Sequence, residues 1–308
     1  MILKLRSAAL RVAAASLSSA LLVASCATKE KTTNTSAANS NVAAPSKKSG
    51  TPADARPMGA TAPGYFSTAY PSSVALRFTS PTDGQTIEGD SVAPTFDIGG
   101  FPIYFDPDRK KGQHIAVILD SQPAEADYDP GKPFAPESGA FNNLKPGVHT
   151  LRAFPAREWH ESIKQPDGQA FAFVVFKVGS KSGAANVNKQ APLLTCSRPA
   201  GNYHWKEDPR GVMLDFYVSN ATVSGNDYKV KYTLNDKPSV VTRWVPVWWK
   251  WESLWPGLHT VVVELLDKNN KPVPFIVGGV NYNRTERMFA ILAEGEQPPE
   301  SAPGKSRK

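Results

Sequence analysis

Cysteine is nearly absent from this chain of 308 residues: there are two, Cys26 and Cys196. Two cysteines cannot build the multi-bridge framework that staples small secreted domains, so the fold has to rest on packed apolar cores. No segment is long and helically periodic, which sets aside helical bundles. Gly-x-Ser-x-Gly, a phosphate loop, Cys-x-x-Cys and His-Glu-x-x-His are all missing, so no short motif names a substrate. Strong charge of one sign is missing too. The formal net charge is +7, and basic residues are scattered apart from Arg109-Lys110-Lys111 and the extreme C-terminus. Nucleic-acid binding needs a basic stripe interleaved with stacking aromatics, so no nucleic-acid partner is expected.

What is present begins with a secretory layout. Lys4, Arg6 and Arg11 precede a short Ala- and Leu-rich run up to Ala24, interrupted by Ser16, Ser18 and Ser19. This predicts a signal peptide over residues 1–25 and not a stable span. Its removal takes away three basic residues and no acidic ones, so +7 becomes +4. Val23-Ala24-Ser25-Cys26 resembles a lipobox: aliphatic, small, small, Cys. The resemblance implies lipidation of Cys26, cleavage before it, and a lipid anchor in the bacterial cell envelope. Stable anchoring takes more than one acyl chain, at roughly 0.8 kcal/mol per buried methylene, a condition that a multiply acylated lipoprotein cysteine meets. Residue 27 is Ala and not Asp, which by the same analogy implies the outer membrane. Residues 26–73 are rich in Ser, Thr, Ala, Asn, Lys and Pro and predict a disordered tether. As a flexible coil, its ~45 residues would span about 35–40 Å. The Pro-rich segment 294–308 predicts a disordered tail.

Between tether and tail the chain repeats itself. Leu144-Lys-Pro-Gly-Val-His-Thr150 returns as Leu254-Trp-Pro-Gly-Leu-His-Thr260, 110 residues later. Phe141 aligns with Trp251, Ile115–Asp120 with Lys229–Asn235, Phe96–Ile98 with Phe216–Val218, and Val174–Val178 with Met288–Leu292, in the same order. A period near 110 is too long for a solenoid and fits a duplicated domain. Short apolar runs separated by Gly, Pro, Asn and Asp mark strands, including 74–78, 115–119, 149–154 and 170–178, then 212–218, 228–234, 242–249, 260–266 and 287–292. The expected fold is all-β: two tandem immunoglobulin-like or fibronectin-III-like β-sandwich domains, 74–180 and 193–293, joined by a linker at 181–192.

Pro sets φ and Gly permits positive φ, so Pro-Gly makes the turn that starts a strand. Period-2 alternation then puts His149 with Leu151 and Ala153, and His259 with Val261 and Val263. Both imidazoles fall on the apolar face, as building parts bonded to a backbone carbonyl. Cys196, in Pro192-Leu-Leu-Thr-Cys196, reads as a buried inert thiol at the start of a domain. Two places remain for chemistry. Trp159-His160-Glu161-Ser162 has no counterpart in the second half, and His114, His160 and Glu161 form a candidate polar site for a divalent metal or acid–base work. The alternative for this loop is packing by Trp159 and hydrogen bonding by His160. Segment 242–255 holds five of the seven tryptophans. Trp244, Trp248 and Trp249 form a candidate aromatic surface for sugars or for contact between domains. Pro246 demotes that strand to an edge or a bulge.

The stretch HTLRAFPAREWHES (149–162), with HIAVILD (114–120) upstream, resembles an uncharacterised family of secreted bacterial proteins and lipoproteins with a Leu-Arg-Ala-Phe-Pro-x-Arg-x-Trp-His-Glu-Ser motif. Leu214–Tyr217 and Glu264–Asp267 extend the likeness over roughly residues 75–293. The resemblance implies a secreted all-β protein and supplies no activity. The expectation is a non-enzymatic, lipid-anchored protein that needs no cofactor and binds another envelope component, protein or glycan. The alternatives are a metal-binding or hydrolytic site at His114/His160/Glu161 and carbohydrate binding through the Trp-rich strand.

Overall fold

Seven strands make the first sandwich. They are β1 (Ala75–Ser80), β2 (Thr86–Ile87), β3 (Thr95–Gly99), β4 (His114–Leu119), β5 (Glu125–Asp127), β6 (Gly147–Ala156) and β7 (Ala172–Val178). This computed structural model describes residues 70–179 and 187–296. The signal peptide, Cys26, the tether up to residue 69, the first half of the linker and the end of the tail lie outside the described residues. β1 pairs antiparallel with β3, and the facing sheet runs β2-β7-β6-β4-β5 with β2 parallel to β7.

The second sandwich repeats the plan. Its strands are β8 (Leu193–Arg198), β9 (Asn202–His204), β10 (Val212–Ser219), β11 (Lys229–Leu234), β12 (Lys237–Val241), β13 (Val247–Trp249), β14 (Gly257–Leu266), the hairpin β15 (Ile276–Val277) and β16 (Val280–Asn281), and β17 (Arg284–Leu292). β8 pairs with β10, and the facing sheet runs β9-β17-β14-β11-β12 with β9 parallel to β17. Strand for strand this is the first order again, with β13 added beside β10 and the β15–β16 hairpin added before β17. The protein is therefore all-β, two tandem sandwiches of one topology. The expected strand over 242–249 shrinks to three residues, because Pro246 cannot donate to a ladder.

Alternation places the cores. In the first sandwich Ile115, Val117, Leu119, Leu151, Val174 and Phe176 meet Leu76, Phe78 and Phe96 of the small sheet. In the second, Leu214, Phe216 and Val218 meet Val261, Val263 and Leu265. Burying each such side chain contributes about 1.5–3 kcal/mol.

β4 and β10 are buried on both faces. The outward residues of the first large sheet, Ala116, Ile118 and Phe154, pack on Tyr217 of β10. Phe154 and Phe171 both stack on the Tyr217 ring, at 5.4 and 5.0 Å. A second junction joins Val175 to Leu193, Phe275, Val277 and Tyr282. The small sheet of the second sandwich is thus packed between its own large sheet and that of the first, so four sheets stack in series.

Candidate functional site

The duplicated imidazoles sit alike. His259 is 1% exposed and stacks on Phe289 at 5.2 Å. Its Nε2–H donates to the Trp255 carbonyl at 2.8 Å, and its Nδ1 accepts from Asn235 Nδ2 at 2.7 Å. Asn235 Oδ1 accepts the Thr260 N–H. In the first sandwich His149 stacks on Phe176 and donates Nε2–H to the Lys145 carbonyl at 2.8 Å. The residue at the Asn235 place is Asp120, whose Oδ1 accepts the Thr150 N–H and whose Oδ2 lies 2.7 Å from His149 Nδ1. A carboxylate only accepts, so His149 has to carry protons on both nitrogens. The hydrogen bond to Asp120 accordingly raises the His149 pKa. One exchange, Asp for Asn, replaces an amide partner of the imidazole by a carboxylate in a frame that otherwise repeats the stacked ring and the backbone carbonyl.

Of the three residues in the polar set, the structure brings two together. Both His114 and His160 are neutral at pH 7: burial lowers the His114 pKa to about 4, and burial and then the Arg198 charge lower that of His160. His114 Nδ1–H donates to the Gly112 carbonyl at 2.9 Å, which leaves its Nε2 to accept from His160 Nδ1–H at 3.0 Å. Glu161 does not join them. Its carboxylate accepts from Tyr70 Oη at 2.5 Å and from Trp159 Nε1 at 2.7 Å. His160 has positive φ, 68°, so successive side chains of this turn splay apart. Among the described residues no three His, Cys, Asp or Glu side chains gather as a metal-ligand set.

The Trp159–Lys164 loop instead grips the second sandwich. Lys164 Nζ and Asp215 Oδ1 form an ion pair at 2.7 Å, with side chains 2% and 0% exposed. Asp215 Oδ2 accepts from Ser197 Oγ at 2.7 Å and from the Ser162 N–H at 3.2 Å, and Lys164 Nζ also donates to Ser162 Oγ at 2.8 Å. Arg210 lies over Trp159 of the loop at 5.5 Å and over Trp248 at 3.9 Å.

Trp249, one of the three residues of the candidate aromatic surface, is 5% exposed and stacks on Phe289 in the second core, where it is open neither to a sugar nor to the first sandwich. Trp244 meets the Tyr217 ring edge-on at 4.9 Å, against the first sandwich. Cys196 is buried, and burial raises its thiol pKa to about 11.

Sequence reasoning passed over the buried charges of this junction. Arg152 donates to the Asp120 carbonyl and to Thr195 Oγ1; Arg287 donates to the carbonyls of Ser121 and Gln122. Arg152 lies on the face of β6 opposite the core residues Leu151 and Ala153, whereas Arg287 shares the apolar face of β17 with Phe289 and Ile291, so position on the strand did not mark both. Beside them an open cleft of about 510 Å³ lies between the Asp120–Pro123 turn and the β15–β16 hairpin, with Val148 and Tyr282 on its walls.

No family model matches the chain, and no curated protein matches it. Among solved structures it is similar to the fibronectin(III)-like modules of Clostridium thermocellum CbhA, at 12% identity over 74% of this chain and 99% of that one, with a TM-score of 0.24. It is also similar to Bacteroides ovatus SGBP-B of the mixed-linkage glucan utilization locus, in complex with a mixed-linkage heptasaccharide, at 13% identity, 71% and 70% coverage and a TM-score of 0.18. Three N-terminal domains of the bacteriophage RB49 outer capsid protein Hoc match at 11% identity, 71% and 70% coverage and the same TM-score of 0.18.

Proposed function

We propose that this is a lipid-anchored bacterial envelope protein that presents two fused sandwiches as one rigid body and binds another envelope component without catalysis. One observation carries the reading. The polar residues that set the first half apart from the second, Trp159 to Lys164, are engaged in holding the sandwiches together or in hydrogen bonds within the first half. A protein that commits its distinctive loop to fixing two domains gains a surface of set geometry, which lowers the ordering cost of binding. The lipobox-like Val23–Cys26 supports the anchor, and Ala27 in place of Asp supports the outer-membrane location. The test is in-cell crosslinking of the full-length lipoprotein followed by purification. The expected result is one envelope component, protein or glycan, captured by the wild-type chain and lost when Cys26→Ser removes the anchor. Capture no different from that of an unrelated lipoprotein overturns the reading.

A further inference from the structure

The cleft at the joint is built by both sandwiches. The first supplies the Asp120–Pro123 turn and Val148, the second the β15–β16 hairpin and Tyr282. Its volume of about 510 Å³ lies within the range of small-molecule sites, about 300–1,000 Å³. One wall is held fast. Asp120 has positive φ, 50°, and its carbonyl accepts from Arg152, while Arg287 of the second sandwich donates to the Ser121 carbonyl and, at 2.7 Å, to that of Gln122. The opposite wall is a hairpin whose two-residue turn, Gly278-Gly279, has positive φ at both positions. Walls fixed before a ligand arrives lower the ordering cost of binding it.

Charge selects the occupant. Asp120 is the one charged side chain on the lining, and it is 30% exposed. Its Oδ1 accepts from the Thr150 N–H and from Tyr282 Oη, and its Oδ2 accepts from His149, which leaves Oδ2 able to take a further donor. An anion would meet this carboxylate. A cation would meet the excess behind it: His149, Arg152 and Arg287 all bond to the Asp120–Gln122 turn, and among the described residues no carboxylate but Asp120 pairs with any of them. An extended peptide would need a backbone ladder. The three carbonyls of this turn are already engaged by guanidiniums, and the Gln122 N–H donates to the Leu119 carbonyl. What remains is the Asp120 carboxylate with the exposed Ser121 hydroxyl and Gln122 amide, beside an apolar wall of valines.

The geometry points to a binding site for a neutral saccharide in this cleft, with Asp120 accepting from its hydroxyls, Ser121 and Gln122 donating and accepting, and Val148, Val277 and Val280 against its C–H face. A sugar ring combines many hydroxyls, no charge and an apolar face, which answers each part of the lining. Gly278 sets the width at one corner. A Cβ there would stand 3.7 Å from the Val148 carbonyl oxygen and 3.9 Å from Val148 Cβ, so a longer side chain fills the space between hairpin and first sandwich. The inference deepens the envelope-binding reading by naming a partner chemistry, and it rests on that reading for the ligand's source.

The test uses the full-length chain, read by calorimetry and valine-methyl NMR. The probes are neutral disaccharides of glucose, mannose, galactose and N-acetylglucosamine, with cellobiuronic acid as the charged counterpart of cellobiose and acetyl-trialanine amide as a peptide. At least one neutral disaccharide should bind saturably and move the methyl signals of Val148 and Val280, leaving those of Val261 and Val263 in the second core in place. Gly278→Asn gives the Asn-Gly pair that two-residue hairpin turns favour, so thermal unfolding should be unchanged while the filled corner lowers affinity about tenfold or more. Gln122→Ala should weaken the same probe about three- to tenfold. No saturable binding by any of these disaccharides, or full affinity in Gly278→Asn, overturns the site. Cellobiuronic acid binding more tightly than cellobiose overturns the neutral assignment, and binding of the peptide alone overturns the sugar. In the crosslinking assay Gly278→Asn should lose the captured component. Capture that persists overturns the site and leaves the envelope-binding reading standing, so the two fall separately.

Discussion

Lys164→Met is the most informative single change. Lys164 and Asp215 come from different sandwiches and are among the least exposed charges described. Removing the ammonium leaves the Asp215 carboxylate with Ser197 Oγ and the Ser162 N–H alone, in a site that excludes water. Breaking a buried pair from one side costs about 3–5 kcal/mol, whereas removing both charges together is often near neutral. For a body of this size each kcal/mol moves the midpoint by about 2–4 °C, so Lys164→Met should lower Tm on the order of 10 °C. Asp215→Asn keeps an acceptor for Ser197 and Ser162, and Lys164→Met/Asp215→Asn should recover more than half of the loss. Urea unfolding of the four proteins gives the cycle. A loss under about 1 kcal/mol for the single variant, or a double variant worse than either single, refutes the account of the loop as the joint.

Further outcomes follow from other side chains. Burial holds His114 at about 4, below its ordinary value. The unfolded chain then binds more protons between about pH 4 and 6.5, and stability should fall as pH drops through that window, by about 3 kcal/mol at the acid end for His114 alone. Chemical denaturation across pH checks it, and His114→Gln should flatten the slope. His149 has the opposite sign. Its folded pKa is raised by Asp120, so its contribution is full below the unfolded pKa and is lost as pH rises through the folded one. Asp120→Asn should abolish that dependence and return the His149 ring titration toward the ordinary range, seen by NMR. Tyr217→Ala empties the stack between Phe154 and Phe171 and should cost about 3–5 kcal/mol, measured by urea unfolding.

Much of the fold was legible in local pattern. The Pro-Gly-x-His-Thr repeat located two equivalent strands, and period-2 alternation put His149 and His259 on the apolar face where they are found. Their hydrogen-bond partners were half legible, since Asp120 and Asn235 hold the same place in the repeat while their contact with the imidazoles is set by the fold. The face of β4 and β6 that meets the second sandwich was harder to read. HIAVIL has no alternation, which is the mark of burial on both sides, but Arg152 and Thr150 in β6 mimic a solvent face. The candidate polar set failed at Glu161 because a positive-φ turn at His160 redirects its neighbours, and backbone dihedrals of that kind leave little trace in residue type. Lys164 and Asp215 read as ordinary surface charges.

By itself the sequence determined most of the longer strands, the duplication and the inward face of the two strands that follow the Pro-Gly turns, because these depend on neighbours a few residues apart and on the chemistry of single turns. Only the tertiary structure decided which outer faces are covered and which carboxylate each cation meets. Those outcomes depend on where two sandwiches dock, a choice made by side chains 50 or more positions apart whose pairing carries no local periodicity.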